Sequence, residues 1–277
     1  MRTSAPRQAG TRTVAFHVHT NRSFDSLVQP EELVRACLAE GVHTLCVTDH
    51  DTIDGALAVR SLAMSSSLQV IVGAEYKTDL GDVIGLCLRE EIRVRDALSV
   101  VEAIRAQGGI AILPHPFHAH SDVAELSQAV DAIEVFNGRC SLGENEEAFA
   151  LATQLQKPML AGSDAHFLGE LSNVVMRFTG DEALTPGDFL TLPRSWQGHS
   201  ASPTIVRASQ GVKGLKTRSP RLAGRATLAM LKHALREALG KSDRYFTEGD
   251  WSRASSSSED RTAVKAEDHI SAARSRL

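Results

Sequence analysis

Short apolar runs, each ended by a histidine or carboxylate and separated by helix-length stretches, constrain this chain more than any other feature. Val14 to Val18 carries His17 and leads into His19, and Thr44 to Val47 runs into Thr48-Asp49-His50-Asp51. Val70 to Val72 leads to Glu75, Ile110 to Leu113 to His115, and Met159-Leu160 to Gly162-Ser163-Asp164-Ala165-His166. The intervening segments carry helix signals. Pro30-Glu31-Glu32 puts proline in a first turn and acids beside the positive end of the dipole, and Gly41 stops that helix. Further helices are expected from Gly55 to Met64 with Asp54 as cap, from Arg95 to Gln107 and from Glu144 to Gln156. Val83 to Leu88 reads as a strand pairing with the Val70 run, and Ala132 to Phe136 as another. Such β-α alternation with short loops predicts a parallel sheet covered by helices. A closed barrel builds its site at the C-terminal ends of its strands, and an open doubly wound sheet uses the same edge. Residues 14–179 fall short of the roughly 250 typical of an eightfold barrel. A reduced or distorted α/β barrel is therefore expected.

The residue types at the strand ends suit metal ligation. On a strand, i and i+2 share a face, so His17 and His19 are expected to converge, as are Asp164 and His166. One His-x-His among eleven histidines is weak; the ordered series carries the inference. A mixed imidazole and carboxylate set without thiolate suits Mn²⁺, Zn²⁺ or Fe²⁺. Asp49 and Asp51 are expected to orient His50 or nearby backbone, because metal-bound histidines usually donate their other N–H to an acceptor. His43, His199, His233 and His269 lie outside any motif and read as ordinary residues.

Taken in order, His17-Val18-His19-Thr20, Ser23-Phe24-Asp25-Ser26, Thr48-Asp49-His50-Asp51-Thr52, Gly73-Ala74-Glu75, His115-Pro116 and Gly162-Ser163-Asp164-Ala165-His166 resemble the PHP (polymerase and histidinol phosphatase) family. The resemblance implies a distorted (β/α)7 barrel, two or three divalent metal ions and phosphoester hydrolysis. It implies that His17, His19, Glu75 and Asp164 hold one ion, with Glu75 bridging to a second that His115 also binds. Asp25, His50 and His166 would hold the third. The catalytic water would be metal-bound and held by Glu75, Asp164 and His166. Some relatives have histidine where this chain has Asp25. A further histidine found in parts of the family between the Glu75 and His115 motifs is absent, and Asp82 is a weak substitute. Two ions about 3.5–4 Å apart would lower the pKa of a bound water from 15.7 towards about 7 and clamp the phosphoryl oxygens.

For substrate contacts, His118 stands where many relatives show a phosphate-binding arginine, with His120 as an alternative. Arg139, after the Phe136 strand, is expected to reach an anionic substrate as a bidentate donor; Lys77 is a weaker candidate. Cys37, Cys46, Cys87 and Cys140 form no C-x-x-C pair; the first three sit in apolar runs and read as reduced core residues, which fits a cytoplasmic protein, and nothing near Cys140 argues for a nucleophile. No apolar run approaches the roughly 18 residues of a membrane span. Net charge of -4 gives no overall drive towards nucleic acid, although residues 207–244 are strongly basic.

Four segments are expected: a disordered tail over 1–12, the barrel over 13–180, a basic and partly helical C-terminal extension over 181–240, and a disordered tail over 241–277. Within the extension, residues 180–209 read as irregular. A helix from Leu222 to Leu239 carries the stripe Leu228, Leu231, Leu235 and Leu239, expected to pack on the barrel. The expected activity is metal-dependent hydrolysis of a small phosphomonoester, a nucleotide, sugar or amino-alcohol phosphate. The alternatives are a nuclease or nucleotide-bisphosphate phosphatase acting on nucleic-acid ends, and a non-catalytic metal-binding domain serving a partner protein.

Overall fold

The computed structural model describes residues 10–238 and 246–251. Seven strands follow one another in the sheet in chain order: β1 (Thr11–Val18), β2 (Thr44–Val47), β3 (Gln69–Lys77), β4 (Asp82–Leu86), β5 (Ile110–Leu113), β6 (Ala132–Asn137) and β7 (Met159–Gly162). β1, β2 and β3 are parallel, as are β5, β6 and β7, while β4 runs antiparallel between the two sets. The chain leaving β7 then returns to β1. Ser163 N and Ala165 N donate to the carbonyls of Phe16 and His17 at 3.1 and 3.0 Å, and His19 N donates to the Ala165 carbonyl at 2.9 Å. The result is a nearly closed, distorted β/α barrel.

Five helices wrap it: α1 (Pro30–Ala39), α2 (Asp54–Ala63), α3 (Ala97–Ala106), α4 (Val123–Ala129) and α5 (Leu142–Leu155). Asp96 caps α3 by accepting Ser99 N at 2.8 Å, and Ser141 and Glu144 cap α5 reciprocally. Asp54 is the first residue of α2 rather than its cap; Thr52 Oγ1 accepts its N–H. Leu33 and Cys37, Ala56 and Val59, and Val100 and Ile104 are buried at helical spacing beneath these elements. Each fully buried Leu, Ile or Val side chain among them contributes about 1.5–3 kcal/mol.

The sheet continues past residue 180, where the barrel was expected to end. β8 (Val174–Thr179) lies antiparallel along the first half of β1, and β9 (Arg194–His199) pairs with β8. β10 (Phe246–Trp251), within a segment expected to be disordered, pairs with β9. Residues 11 and 12, expected in the N-terminal tail, belong to β1 and face Thr179 and Phe178. The sequence hid β9 because it alternates rather than runs apolar. In β9 Trp196 is buried and stacks on Phe136 at 4.5 Å, while Ser195 and Gln197 are only partly covered. Residues 180–209 are likewise not irregular, since they contain α6 (Asp188–Thr191), β9 and the start of α7 (Pro203–Lys216). Apart from Gly10, the other residues expected as tails lie outside the described ones.

The expected C-terminal helix is α8 (Pro220–Ala238); Leu239 of its expected leucine stripe lies outside the described residues, and the other three leucines do not pack on the barrel. Leu228, Leu231 and Leu235 are 57%, 65% and 62% exposed. α8 packs on α7 instead, where a Cβ on Gly214 would meet Ala223 N at 2.5 Å. It is α7 that touches the barrel. No described helix is long and apolar enough to cross a membrane.

Candidate metal centre

The first two ligands depend on an irregularity in β1. Two residues of β1 oppose one of β2 between Ala15 and Val18, which is a β-bulge, a device that re-aims side chains. His17 occupies it at φ 60°. The pleat alone therefore does not bring His17 and His19 together, contrary to the i, i+2 expectation; the bulge does, with ring centroids 5.2 Å apart. Asp164 at φ 51° and His115 at φ 28° also adopt left-handed backbone. Such conformations cost on the order of 1–3 kcal/mol each for ordinary residues and cluster at functional sites.

Glu75 is the hub. Its Oε2 lies 3.3 Å from His17 Nε2, 3.5 Å from His19 Nε2 and 3.2 Å from His50 Nδ1. Its Oε1 lies 3.0 Å from His115 Nε2. Asp164 Oδ1 faces His17, His19 and His166 at 3.6, 3.3 and 3.4 Å. Asp25 spans His50 Nε2 at 3.4 Å and His166 Nε2 at 3.3 Å. Three donor groups result: His17-His19-Asp164, His17-Glu75-His115 and His19-His50-His166, each with ligand atoms within 4.8 Å of one another. Asp25 joins them through His50 and His166, so the eight expected ligands form one connected cluster. Asp82, the proposed substitute, falls outside these groups; burial and the charge of Glu75 push its carboxyl up.

The polar inventory fits divalent cations. His19 Nε2 and Asp25 Oδ1 are buried without a hydrogen-bond partner, a costly state for polar atoms, and both point among other donors. Burial, reinforced by the charge of His166, lowers the His19 pKa to about 3, keeping a neutral imidazole suited to ligation. For His50 and His115 burial also acts downwards but is outweighed. Glu75 and Asp25 lift His50 to about 9, and Glu75 lifts His115 to about 9. Burial opposes ionisation of Glu75 and Asp164, yet the surrounding histidines hold both well below the ordinary carboxylate range.

Behind the ligands stands Glu134, which the sequence reading missed. Its Oε1 accepts from His17 Nδ1 at 2.9 Å, and its Oε2 accepts from His115 N and Asn137 Nδ2, each at 3.0 Å. A Cβ on Gly162 would meet Glu134 Oε1 at 2.2 Å, so that glycine permits the approach. The available signal was one acid inside the apolar run Ala132-Ile133-Glu134-Val135-Phe136. Asp49 does orient the site, but through Ser23. It accepts Thr20 N at 2.6 Å, Thr20 Oγ1 at 2.7 Å and Ser23 Oγ at 2.9 Å. Ser23 Oγ in turn lies 3.0 Å from His19 Nδ1 and accepts His50 N at 3.0 Å. Asp51 is turned away, accepting Lys77 N and pairing with Arg95.

The substrate-side expectations divide. His118 stands at the rim, its side chain 63% exposed and 3.3 Å from Glu144. His120 is occupied by the carbonyls of His118 and Asp82, and Lys77 lies 3.9 Å from Asp82. Arg139 is not placed as a free anion donor. Its side chain is only 8% exposed, and Nη2 donates to Val206 O at 3.0 Å and Ser209 Oγ at 2.7 Å of α7. Its Nη1 lies 2.6 Å from His166 Nδ1 and its Nε 3.7 Å from Glu170. Arg139 therefore ties α7 to the candidate ligand His166. Lys216 of α7 donates to the carbonyls of Asn21, Ser23 and Ser26 at 2.7, 2.7 and 2.6 Å, clasping the loop that carries Asp25. Lys213 lies 4.3 Å above the Phe24 ring, which itself stacks on His50 at 4.4 Å.

A barrel mouth furnished with imidazoles and carboxylates in three overlapping groups defines a metal-dependent hydrolase. The chain belongs to the PHP domain family: the PHP domain model matches residues 15–161, and the PHP-associated model matches residues 143–191. An uncharacterized protein of Methanocaldococcus jannaschii is 30% identical over 196 residues, 65% of this chain and 78% of its own length. The 5'-3' exoribonuclease of Haemophilus influenzae is 35% identical over 69 residues, a stretch covering 25% of each chain. The crystal structure of PsfC from Pseudomonas syringae PB-5123 has the same fold, with a TM-score of 0.55 and 18% identity over 80% of this chain and 98% of that one.

Proposed function

We propose that the protein hydrolyses a small phosphomonoester, such as a nucleotide, sugar or amino-alcohol phosphate, with two or three divalent ions held by His17, His19, Asp25, His50, Glu75, His115, Asp164 and His166. The observation that carries this reading is Glu75, whose two oxygens face different histidines and so join the donor groups. Divalent ions at such a centre supply Lewis acidity to the phosphate and bring the pKa of water from 15.7 towards about 7. The side chains do the positioning. Glu134 keeps the proton of His17 on Nδ1 and aims Nε2 inwards, and Glu75, Asp164 and His166 border the space where the attacking water would stand. His118, exposed at the rim beside His115, is assigned to the incoming phosphate, where its imidazole can donate to a non-bridging or leaving oxygen.

A second reading, hydrolysis at a nucleic-acid end, is supported by the likeness to the exoribonuclease. Against it, Lys216 and Arg139 of the α7 contact are engaged within the chain. A panel of phosphomonoesters and 5'-phosphorylated oligonucleotides, incubated with Mn²⁺- or Zn²⁺-loaded protein, tests the choice. Phosphate release from a monoester should dominate. Turnover confined to oligonucleotides would overturn the substrate class, and turnover of neither would overturn the reading altogether.

A further inference from the structure

Beside the centre lies a second cluster that the proposed reaction does not use in full. His118 sits in the turn after β5, Cys140 in the turn after β6, and Glu144 in the first turn of α5. Their ligand atoms lie within 4.8 Å of one another. Glu144 is fixed for such a role. Ser141 N and Oγ both donate to its Oε2 at 2.7 Å, leaving Oε1 towards His118 Nδ1 at 3.3 Å. Cys140 is 7% exposed, held by its N–H on the Asn137 carbonyl at 3.2 Å. Three donors, one soft, drawn from the turn after β5 and from the β6–α5 connection, with His118 exposed, form a set that suits an exchangeable ion.

We infer that His118, Cys140 and Glu144 form a separate thiolate-containing site for a soft divalent cation, Zn²⁺ being the physiological candidate, at the mouth of the barrel. Thiolate selects zinc-like ions over Mn²⁺, whereas the main centre offers only nitrogen and oxygen. Zn–S and Zn–N bonds of about 2.3 and 2.0–2.1 Å require the three donors to draw in. The exposed His118 is the one free to move. Burial and the charges of Glu134, Glu144 and Asp164 hold the thiol proton on Cys140 well above its usual range. A bound cation reverses this, since a coordinating thiol is deprotonated outright, and one proton passes to solvent as the S–metal bond forms. The site deepens the proposed function and in this part rests on it. An ion that takes His118 removes the side chain assigned to the phosphate, so excess Zn²⁺ is inhibitory through this site.

Cobalt separates the two kinds of site without recourse to activity. Full-length protein whose main centre is loaded, then titrated with Co²⁺, should develop near-ultraviolet thiolate-to-cobalt charge-transfer absorption. Cys140→Ser should abolish that band, and His118→Ala, an exposed position, should weaken Co²⁺ binding at the band at least tenfold. No band, or a band that survives Cys140→Ser, would overturn the site even if the phosphatase reading stands. In the second arm, excess Zn²⁺ should inhibit phosphate release by the wild type and spare Cys140→Ser. Equal inhibition of both would overturn the inhibitory role, and a band without any phosphatase activity would uphold the site while refuting the proposed reaction.

Discussion

His17 Nδ1 lies 2.9 Å from Glu134 Oε1, and the other oxygen of the same carboxylate accepts the His115 backbone N–H at 3.0 Å. One buried acid thus orients ligands from β1 and β5 together. Second partners of this kind typically contribute 10–100-fold to metal affinity. Glu134→Gln should therefore weaken binding by about that factor while the protein stays folded. Competition against a chromophoric chelator measures it, and unchanged affinity would remove Glu134 from the account.

Lys216 joins α7 to the loop of Asp25 through three carbonyls. Lys216→Met keeps the stem and removes the donors. Because Lys216 is an exposed residue, the stability loss is expected to be about 1 kcal/mol, a fall in Tm of about 2–4 °C. The more telling effect is expected to be selective loss of the ion assigned to Asp25, His50 and His166. Metal content unchanged from wild type would show that the clasp is incidental.

Truncation after residue 206 removes both Ser209, which Arg139 holds, and Lys216. Stability and turnover of monoesters and oligonucleotides should fall alike, because α7 braces His166 and the Asp25 loop rather than recruiting a polyanion. Selective collapse of oligonucleotide turnover, with a steep salt dependence in the full chain, would instead assign the basic segment to nucleic acid.

Protons compete with metal at this site. His50 and His115 titrate near 9, above their ordinary 6.5. In chelated protein their pairing with carboxylates contributes stability that is complete below about 6.5 and is lost as pH rises through about 9. Metal affinity should accordingly climb across that window, and each ion bound should release protons. Calorimetric titrations in buffers of different ionisation enthalpy count them; a heat independent of buffer at pH 7 would contradict the protonated histidines.

Seven of the eight candidate ligands were legible because they lie at the ends of apolar runs, where the β-α alternation makes the C-terminal edge of the barrel a predictable address, whereas Asp25, in the polar loop after β1, was suggested only by the family resemblance. Glu134 was harder to see, since inside an apolar strand it carries no spacing partner and only the close approach allowed at Gly162 gives it one. Arg139 was correctly placed at a strand end but assigned to an anion, because nothing local foretells a carbonyl on Val206. The same holds for Lys216, whose carbonyl partners lie 190 or more residues away. β9 escaped notice because Trp196 is its one large apolar residue, set among Arg194, Ser195, Gln197, Gly198 and His199, and β10 because it is polar between Phe246 and Trp251.

The central claim is that these eight side chains form a multinuclear hydrolytic centre, and reversible chelation tests it most directly. Metal per chain and phosphate release should be followed together through chelation and reloading with Mn²⁺ or Zn²⁺. About two or three ions per chain are expected at the main centre. Activity should vanish with them and return on reloading, whereas His17→Ala or Asp164→Ala, folded by circular dichroism, should stay down by several orders of magnitude. Undiminished phosphate release from protein holding less than one ion per chain would contradict the account.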